Sequence, residues 1–532
     1  MLQTGSEPLS AFPPVEYEVW RALVEKDLKG APFQRRLVKR TYEGIDIQPL
    51  YTAEQVSDGD AAVGYPGLPP FTRGGRVLGC TEAGWDVRQT YDESDPARAN
   101  RAILEDLSCG VTSIELRTGG GGMPISNVDN LDQILADVDL GQVAVAVDGD
   151  GSFVSAAAML AALWKKRSVE RAQARGAFNA DPLAALASAG CLPGDVDRCL
   201  ADMAGLAVWT AKAFPNVTAV GVDTAPYHDA GASAAQDLAY SMATGIEYLR
   251  AMERGGLEVN AAARQMRFRY SVGCRLFMAI AKLRAARRLW ARIVEASGGD
   301  EHARRMVLHV RVGRRVLTTR DPWVNMLRNT VCGFAGAVAG ADAITTAPFD
   351  AAIGEPDEFS RRVARNTQLL LREESHLHRV VDPAGGSWFI EKLTDELAEK
   401  AWTILQDIEG RGGMAKALLS GRVAEEIEST WQARLKNLAT RKDAITGVSE
   451  FPNLEEEAIE KKPPPSEGGA RREPRSSSDP AAAEALESLE AAPGIEPAVE
   501  AAVLGQVSIA RVPQRLEGCR IRSRRQRIDG DR

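Results

Sequence analysis

Residues Phe277–Trp290 read FMAIAKLRAARRLW. Phe277, Ile280, Ala281, Leu283, Ala286, Leu289 and Trp290 recur at helical spacing, and Lys282, Arg284, Arg287 and Arg288 fill the positions between them. The spacing predicts an amphipathic helix whose basic face is solvated. The run leading into it, Pro226–Leu249 (PYHDAGASAAQDLAYSMATGIEYL), carries a second helical pattern from Ala234 to Glu253.

From about Gly84 outward, short β-branched runs alternate with such helices. Candidate strands are Thr112–Leu116, Val143–Val147, Thr218–Asp223, Val307–Val312 and Ala343–Thr346. Between them the pattern predicts helices over Ala97–Leu107, Val154–Leu163, Asp195–Ala213, Ala234–Glu253, Phe277–Ala296, Trp323–Val338 and Pro356–Glu374. This βα rhythm predicts the α/β class, a (β/α)8 TIM-type barrel. Before the barrel, Glu16–Lys29 reads as a helix closed by Gly30, and the following run to Thr52 alternates like a strand. Residues 64–79, GYPGLPPFTRGGRVLG, are predicted to form an irregular extended arm, because prolines remove donors and glycines admit left-handed turns. After the barrel, Leu393–Leu419 and a second run to about Arg441 are predicted helical. From Asn453 the composition changes to Pro, Gly, Ser and charge, too polar to bury a core and expected to be disordered.

The expected divisions are 1–83 for the N-terminal helix and arm, 84–392 for the barrel, 393–452 for a helical extension and 453–532 for a low-complexity tail. With 532 residues, 44% hydrophobic, 26% charged and a net charge of −8, the composition excludes a generally nucleic-acid- or membrane-seeking surface. No basic segment followed by an apolar core opens the sequence, and no run long enough to span a bilayer follows, so a cytoplasmic location is expected. Seven scattered cysteines without a C-x-x-C pair imply free thiols rather than disulfides or zinc.

Tyr227 and His228 directly follow a predicted strand, where barrel side chains face the active-site mouth, and are placed to hydrogen-bond a carbonyl or carboxylate. Several strings raise a family resemblance: F-M-x-I-A-K-L-R-A-x-R-R-L-W, P-F-T-R-G at Pro70–Gly74, R-N-T-Q…E-E-S from Arg365 to Ser375, D-P-x-G-G-S at Asp382–Ser387 and G-G-M-A-K-A at Gly412–Ala417. Together, and in this order, they identify the chain as a member of the methylmalonyl-CoA mutase family, cobalamin-dependent acyl-CoA isomerases.

The resemblance implies an acyl-CoA mutase-type barrel over 84–392, an arm leading towards acyl-CoA, and a Tyr227–His228 pair whose histidine donates to the thioester carbonyl in active members. It also implies substrate contacts from Arg88 and Gln89. Four departures oppose catalysis by this chain. Active members place a tyrosine after the R-Q of W-x-x-R-Q; here Thr90 stands there and Tyr91 comes one residue late, facing the other way. No arginine lies between Arg175 and Arg198 to clamp a substrate carboxylate. Where active members carry small or aromatic inward residues, this sequence carries Arg267, Arg269, Arg311, Arg314 and Arg315, which fill the channel or require buried partners unless they point outward. The D-x-H-x-x-G motif of the cobalamin domain has no counterpart, the last histidine being His378.

The resemblance is to the small, non-catalytic subunit of bacterial heterodimeric enzymes. It implies a catalytic large subunit as partner, adenosylcobalamin bound by the complex rather than by this chain, no metal site here, and helices flanking 277–290 and 393–419 as contact elements. The alternative is a catalytic acyl-CoA mutase barrel that borrows a separate cobalamin-binding chain.

Overall fold

The computed structural model describes residues 15–56, 63–118, 122–125, 127–457, 459, 461 and 514–515. Eight parallel strands close a barrel in chain order: β1 (Asp86–Tyr91), β2 (Ser113–Arg117), β3 (Ala144–Asp148), β4 (Gly176–Ala180), β5 (Val217–Asp223), β6 (Met266–Val272), β7 (Leu308–Val312) and β8 (Ala343–Thr345). The closing rung, β8 to β1, pairs Ala343 with Asp86 and Ile344 with Val87. Around it lie α1 (Pro96–Ser108), α2 (Val128–Ile134), α3 (Phe153–Lys166), α4 (Val196–Ala213), α5 (Ala234–Arg254), α6 (Leu276–Ala296), α7 (Val324–Val338) and α8 (Glu358–Leu369). The predicted (β/α)8 architecture is the observed one.

The five candidate strands are present within one or two residues, whereas β1, β4 and β6 were not among them. Apart from Phe178, β4 (GAFNA) consists of glycine, alanine and asparagine, so the usual β-branched signal is missing. The strand-like alternation before Thr52 yields only two two-residue strands, Lys39–Arg40 and Asp46–Ile47, joined by a tight turn. The arm at 64–79 is irregular as expected, with a cis Pro69–Pro70 bond. The helical pattern at 356–374 divides into α8 and a π turn, Leu370–Glu374.

Beyond the barrel, the expected helix 393–419 is two helices, α9 (Trp388–Gly410) and α10 (Gly413–Leu419), followed by α11 (Arg422–Ala439). Gly412 and Gly413 both take positive φ, 106° and 88°, which breaks the run. Ser387 caps the start of α9, five residues earlier than the hydrophobic pattern suggested. Most of the predicted 453–532 tail lies outside the described residues; its one described rung pairs Gln514–Arg515 with Cys191–Leu192.

The expected solvated basic face of α6 is corrected by the structure. Lys282, Arg284 and Arg287 are buried, and Phe277, counted with the apolar face, is half exposed. Helix α9 covers Arg284, whereas Lys282 turns to α5 and β6 and Arg287 to the carbonyl of Ala339 after α7. Arg284 donates to both carboxylate oxygens of Glu391 at 2.6 and 2.7 Å and also reaches Asp382, while Lys282 reaches Asp237 at 2.9 Å. Lys282 and Arg284 therefore leave the helix on different sides, about 200° apart, and periodicity could not reveal their partners: Asp382 and Glu391 about a hundred residues later for Arg284, Asp237 45 residues earlier for Lys282. Apart from its first and last turns, α6 is therefore largely covered.

Candidate functional site

Alternation along the strands decides what fills the barrel. On β1, Asp86, Arg88 and Thr90 face inward, and on β2, Ser113 and Glu115. Strands β3 to β5 bring Asp148, Asn179 and Asp223, and β6 and β7 bring Arg269 and Arg311. Arg269 is 2% exposed and crosses the axis to three carboxylates, Glu115 at 3.1 Å, Asp148 at 2.8 Å and Asp223 at 3.0 Å. Arg311 donates to both oxygens of Asp223 at 2.6 and 2.5 Å.

Burial alone would raise the Glu115 carboxyl, but Arg269, Arg311 and Arg88 outweigh it and hold its pKa at about 2. Asp148 is likewise held below its ordinary value against burial, chiefly by Arg269. Arg269 and Arg311 thus point inward and have the buried partners such an arrangement requires. A barrel axis bridged in this way leaves no straight path along which an extended thioester could thread.

Tyr227 and His228 sit on the short helix Ala225–Ala230 directly after β5. His228 is 5% exposed; its Nδ1 lies 2.8 Å from Asp237 Oδ2, and Lys282 donates to the same oxygen and to the Ser271 carbonyl. On its other side, Arg315 Nη2 lies 3.4 Å from His228 Nε2, and a Cβ on Gly313 would come within 2.6 Å of the ring. Burial drives the His228 pKa down to about 3, with Arg315 and Lys282 assisting and Asp237 opposing. The neutral ring therefore donates from Nδ1 to Asp237 and presents Nε2 as an acceptor to Arg315. An imidazole engaged on both nitrogens has no proton to offer a carbonyl.

Tyr227 is buried against Tyr240, ring centroids 5.3 Å apart. Its hydroxyl lies near Thr244 and Asp181 without closing a hydrogen bond of good geometry, and burial pushes its pKa up.

Of the residues implied by resemblance, Tyr227 and His228 are neighbours at the mouth. Arg88 lies deeper, held by Ser113 at 2.8 Å and Asp86 at 2.8 Å. Gln89 turns away from the interior and donates to the Arg361 carbonyl at 3.4 Å. Thr90 faces inward to Glu115, whereas Tyr91 faces the helix layer and donates to Asp106 at 2.9 Å, the reversed orientation that its one-residue displacement predicts. Glu115, Asp148 and Asp223 were missed in the sequence. Their signal was available as acidic residues on the face of each strand opposite its Val, Ile and Leu, in S-I-E-L-R, A-V-A-V-D and V-G-V-D.

The family model "Methylmalonyl-CoA mutase" matches residues 40–118 and 115–492. The chain belongs to the methylmalonyl-CoA mutase family. It is 45% identical over 464 residues to the methylmalonyl-CoA mutase small subunit of Streptomyces virginiae, covering 86% of this chain and 74% of that protein. The small subunit of Propionibacterium freudenreichii subsp. shermanii is 38% identical, with 84% and 70% covered. A methylmalonyl-CoA mutase of Cereibacter sphaeroides is 30% identical, with 84% of this chain and 65% of that protein covered. The family is one of isomerases, and this mutase-family chain carries its barrel. No helix among the described residues is long and apolar enough to cross a membrane, and none of their His, Cys, Asp and Glu side chains cluster as a metal site.

One consequence for this mutase-family barrel is a pH dependence. Because the folded His228 pKa is depressed to about 3, the unfolded chain binds a proton that the native chain does not once pH falls below about 6.5. Stability from this site is therefore complete above about 6.5 and declines as pH falls towards 3, by roughly 1 kcal/mol per unit. Urea melts of wild type and His228→Asn between pH 7 and 4 test this; the variant is expected to show a shallower decline, and parallel curves refute the assignment.

Proposed function

We propose that this chain is the small, non-catalytic subunit of a heterodimeric methylmalonyl-CoA mutase of the cytoplasm. In that complex a catalytic large subunit interconverts (R)-methylmalonyl-CoA and succinyl-CoA by radical rearrangement with adenosylcobalamin, and this chain stabilises it. The observation that carries the reading is the Arg269 bridge to Glu115, Asp148 and Asp223 across the barrel axis, with Arg315 against His228.

The residues present do not fit adenosylcobalamin. None of the five histidines of the sequence, at 228, 302, 309, 376 and 378, lies in a D-x-H-x-x-G setting, and the Arg311–Asp223 pair spans the rim. When bound, the cofactor supplies the radical; no step through it is routed by this chain.

Retention of Tyr227 and His228 favours the second reading, a catalytic barrel served by a separate cobalamin-binding chain. Reconstitution separates the two. This chain with a catalytic large subunit is expected to give mutase activity, and this chain with an isolated cobalamin-binding domain none. Tyr227→Phe in the reconstituted complex is expected to keep kcat/KM within about twofold and to change stability by less than about 1 kcal/mol, since the hydroxyl it removes is poorly bonded. A hundredfold loss, the size expected when a group polarising the substrate is removed, overturns the non-catalytic reading.

A further inference from the structure

Two thiols meet where β6 runs into α6. The strand ends at Val272, and Gly273, Cys274 and Arg275 turn the chain into the helix. Cys274 is exposed on that turn, whereas Cys332, on α7, is fully buried. The Cys332 Sγ lies 3.7 Å from the Val272 carbonyl and is in hydrogen-bond contact with the Cys274 thiol. Neither cysteine belongs to a disulfide.

Their surroundings differ as a thiol pair requires if one sulfur is to react first. Donation from the Cys332 thiol, assisted by the Arg328 guanidinium one turn earlier on α7, holds the Cys274 pKa below its ordinary value against partial desolvation. The contact with Cys274, together with burial, pushes the Cys332 pKa well up. Cys274 is thus the residue that solvent reaches and the better thiolate, and Cys332 is the protected thiol behind it. A disulfide sets its sulfurs about 2 Å apart, so closure asks the turn to move by only an ångström or two, on the order of one side-chain rotation. The turn can yield that much. Beyond it, Arg275 meets Asp443 in an ion pair of 3.3 Å with the arginine half exposed, and a Cβ on Gly273 would meet only Val316 within 3.5 Å.

We propose that Cys274 and Cys332 form a reversible disulfide, a thiol modification site whose oxidant is a low-molecular-weight disulfide. The Cys274 thiolate attacks one sulfur of the small disulfide, forming a mixed disulfide and expelling a thiolate that takes up a proton. Cys332 then releases its proton to solvent and its sulfur attacks Cys274 Sγ, expelling the second small thiolate, which is protonated in turn. Two protein thiols are oxidised to one disulfide, and one small disulfide is reduced to two thiols. The bridge ties the turn between β6 and α6 to α7 and fixes the exposed start of α6. It is independent of whether the chain has any mutase chemistry.

The test uses the full-length chain under native conditions in buffers of reduced and oxidised glutathione. After an acid quench, remaining thiols are alkylated and the cysteines are mapped by peptide mass spectrometry. Wild type is expected to gain a Cys274–Cys332 bridge as the oxidised form increases and to lose it when reduced glutathione is restored. Cys332→Ala is expected to stop at the mixed disulfide, with glutathione on Cys274 at a level about tenfold above wild type. Cys274→Ser should leave Cys332 unmodified. Three results in wild type alone overturn the proposal, so it stands or falls even if a variant fails to fold: a glutathione adduct on Cys274 that persists without a bridge, either cysteine paired with a different one, or no modification of Cys274.

Discussion

Arg269→Met is expected to lower the stability of the chain by about 3–5 kcal/mol at pH 7, measured by urea unfolding. The substitution keeps much of the side-chain volume, so cavity formation contributes little; the loss is electrostatic. Three carboxylates, Glu115, Asp148 and Asp223, are left facing one another in the interior, with Arg311 able to neutralise only the last of them at close range. The pH dependence separates this cause from simple mispacking. In wild type the Glu115 pKa is depressed to about 2, so its contribution is present above the unfolded value near 4.5 and is lost only as pH falls through about 2. Without Arg269 the same carboxyl is pushed upward by burial and by Asp148, and it takes up a proton well above pH 4. The deficit of the variant should therefore shrink between pH 7 and pH 5. A deficit below about 1 kcal/mol, or one that does not change with pH, refutes the clamp as the element that closes the barrel.

Much of the fold was readable from pattern, and the reason is visible in which parts were not. Strands such as Leu308–Val312 and helices such as Ala234–Arg254 carry strong local periodicity, so their places followed from the sequence with errors of one or two residues. Strand β4 did not, because it has no β-branched residue, Phe178 alone gives little β signal, and its place is set by neighbours on both sides. Tyr91 was legible as misdirected, since alternation on a strand fixes its side once the strand is accepted. The charge closure of the barrel was half legible. Arg267, Arg269 and Arg311 announced that the interior either expelled them or supplied partners. Identifying Glu115 and Asp148 as partners of Arg269 requires the three-dimensional closure of strands more than a hundred residues apart, and Asp223 that of strands on either side of a full βα unit. His228 shows the same limit. Its position at the mouth followed from the strand before it, whereas its engagement by Asp237 and Arg315 depends on α5 and on the turn after β7.

Arg284→Met is expected to cost about 3–5 kcal/mol and to loosen the chain in one specific place. Arg284 is fully buried on α6 and meets Asp382 and Glu391, which are themselves buried. Those two acids belong to the D-P-A-G-G-S turn and the first turns of α9, and they are tied into further contacts. Asp382 also pairs with Arg73 of the arm at 3.0 Å, and Glu391 accepts from the Gly386 amide at 3.1 Å. One guanidinium thus fixes the arm, the turn and α9 to the barrel helix. Its loss should appear first as faster amide exchange over residues 382–395 and the arm around Arg73, before global unfolding. Arg284→Lys should recover only part of the stability, because a single ammonium cannot reproduce the two-pronged contact with Glu391 while reaching Asp382. The double variant Arg284→Met/Glu391→Met should recover more than the lysine, since it removes a charge from each side and leaves Asp382 with Arg73. If the double variant is no more stable than Arg284→Met alone, packing of the arginine stem rather than its charge holds α9 in place.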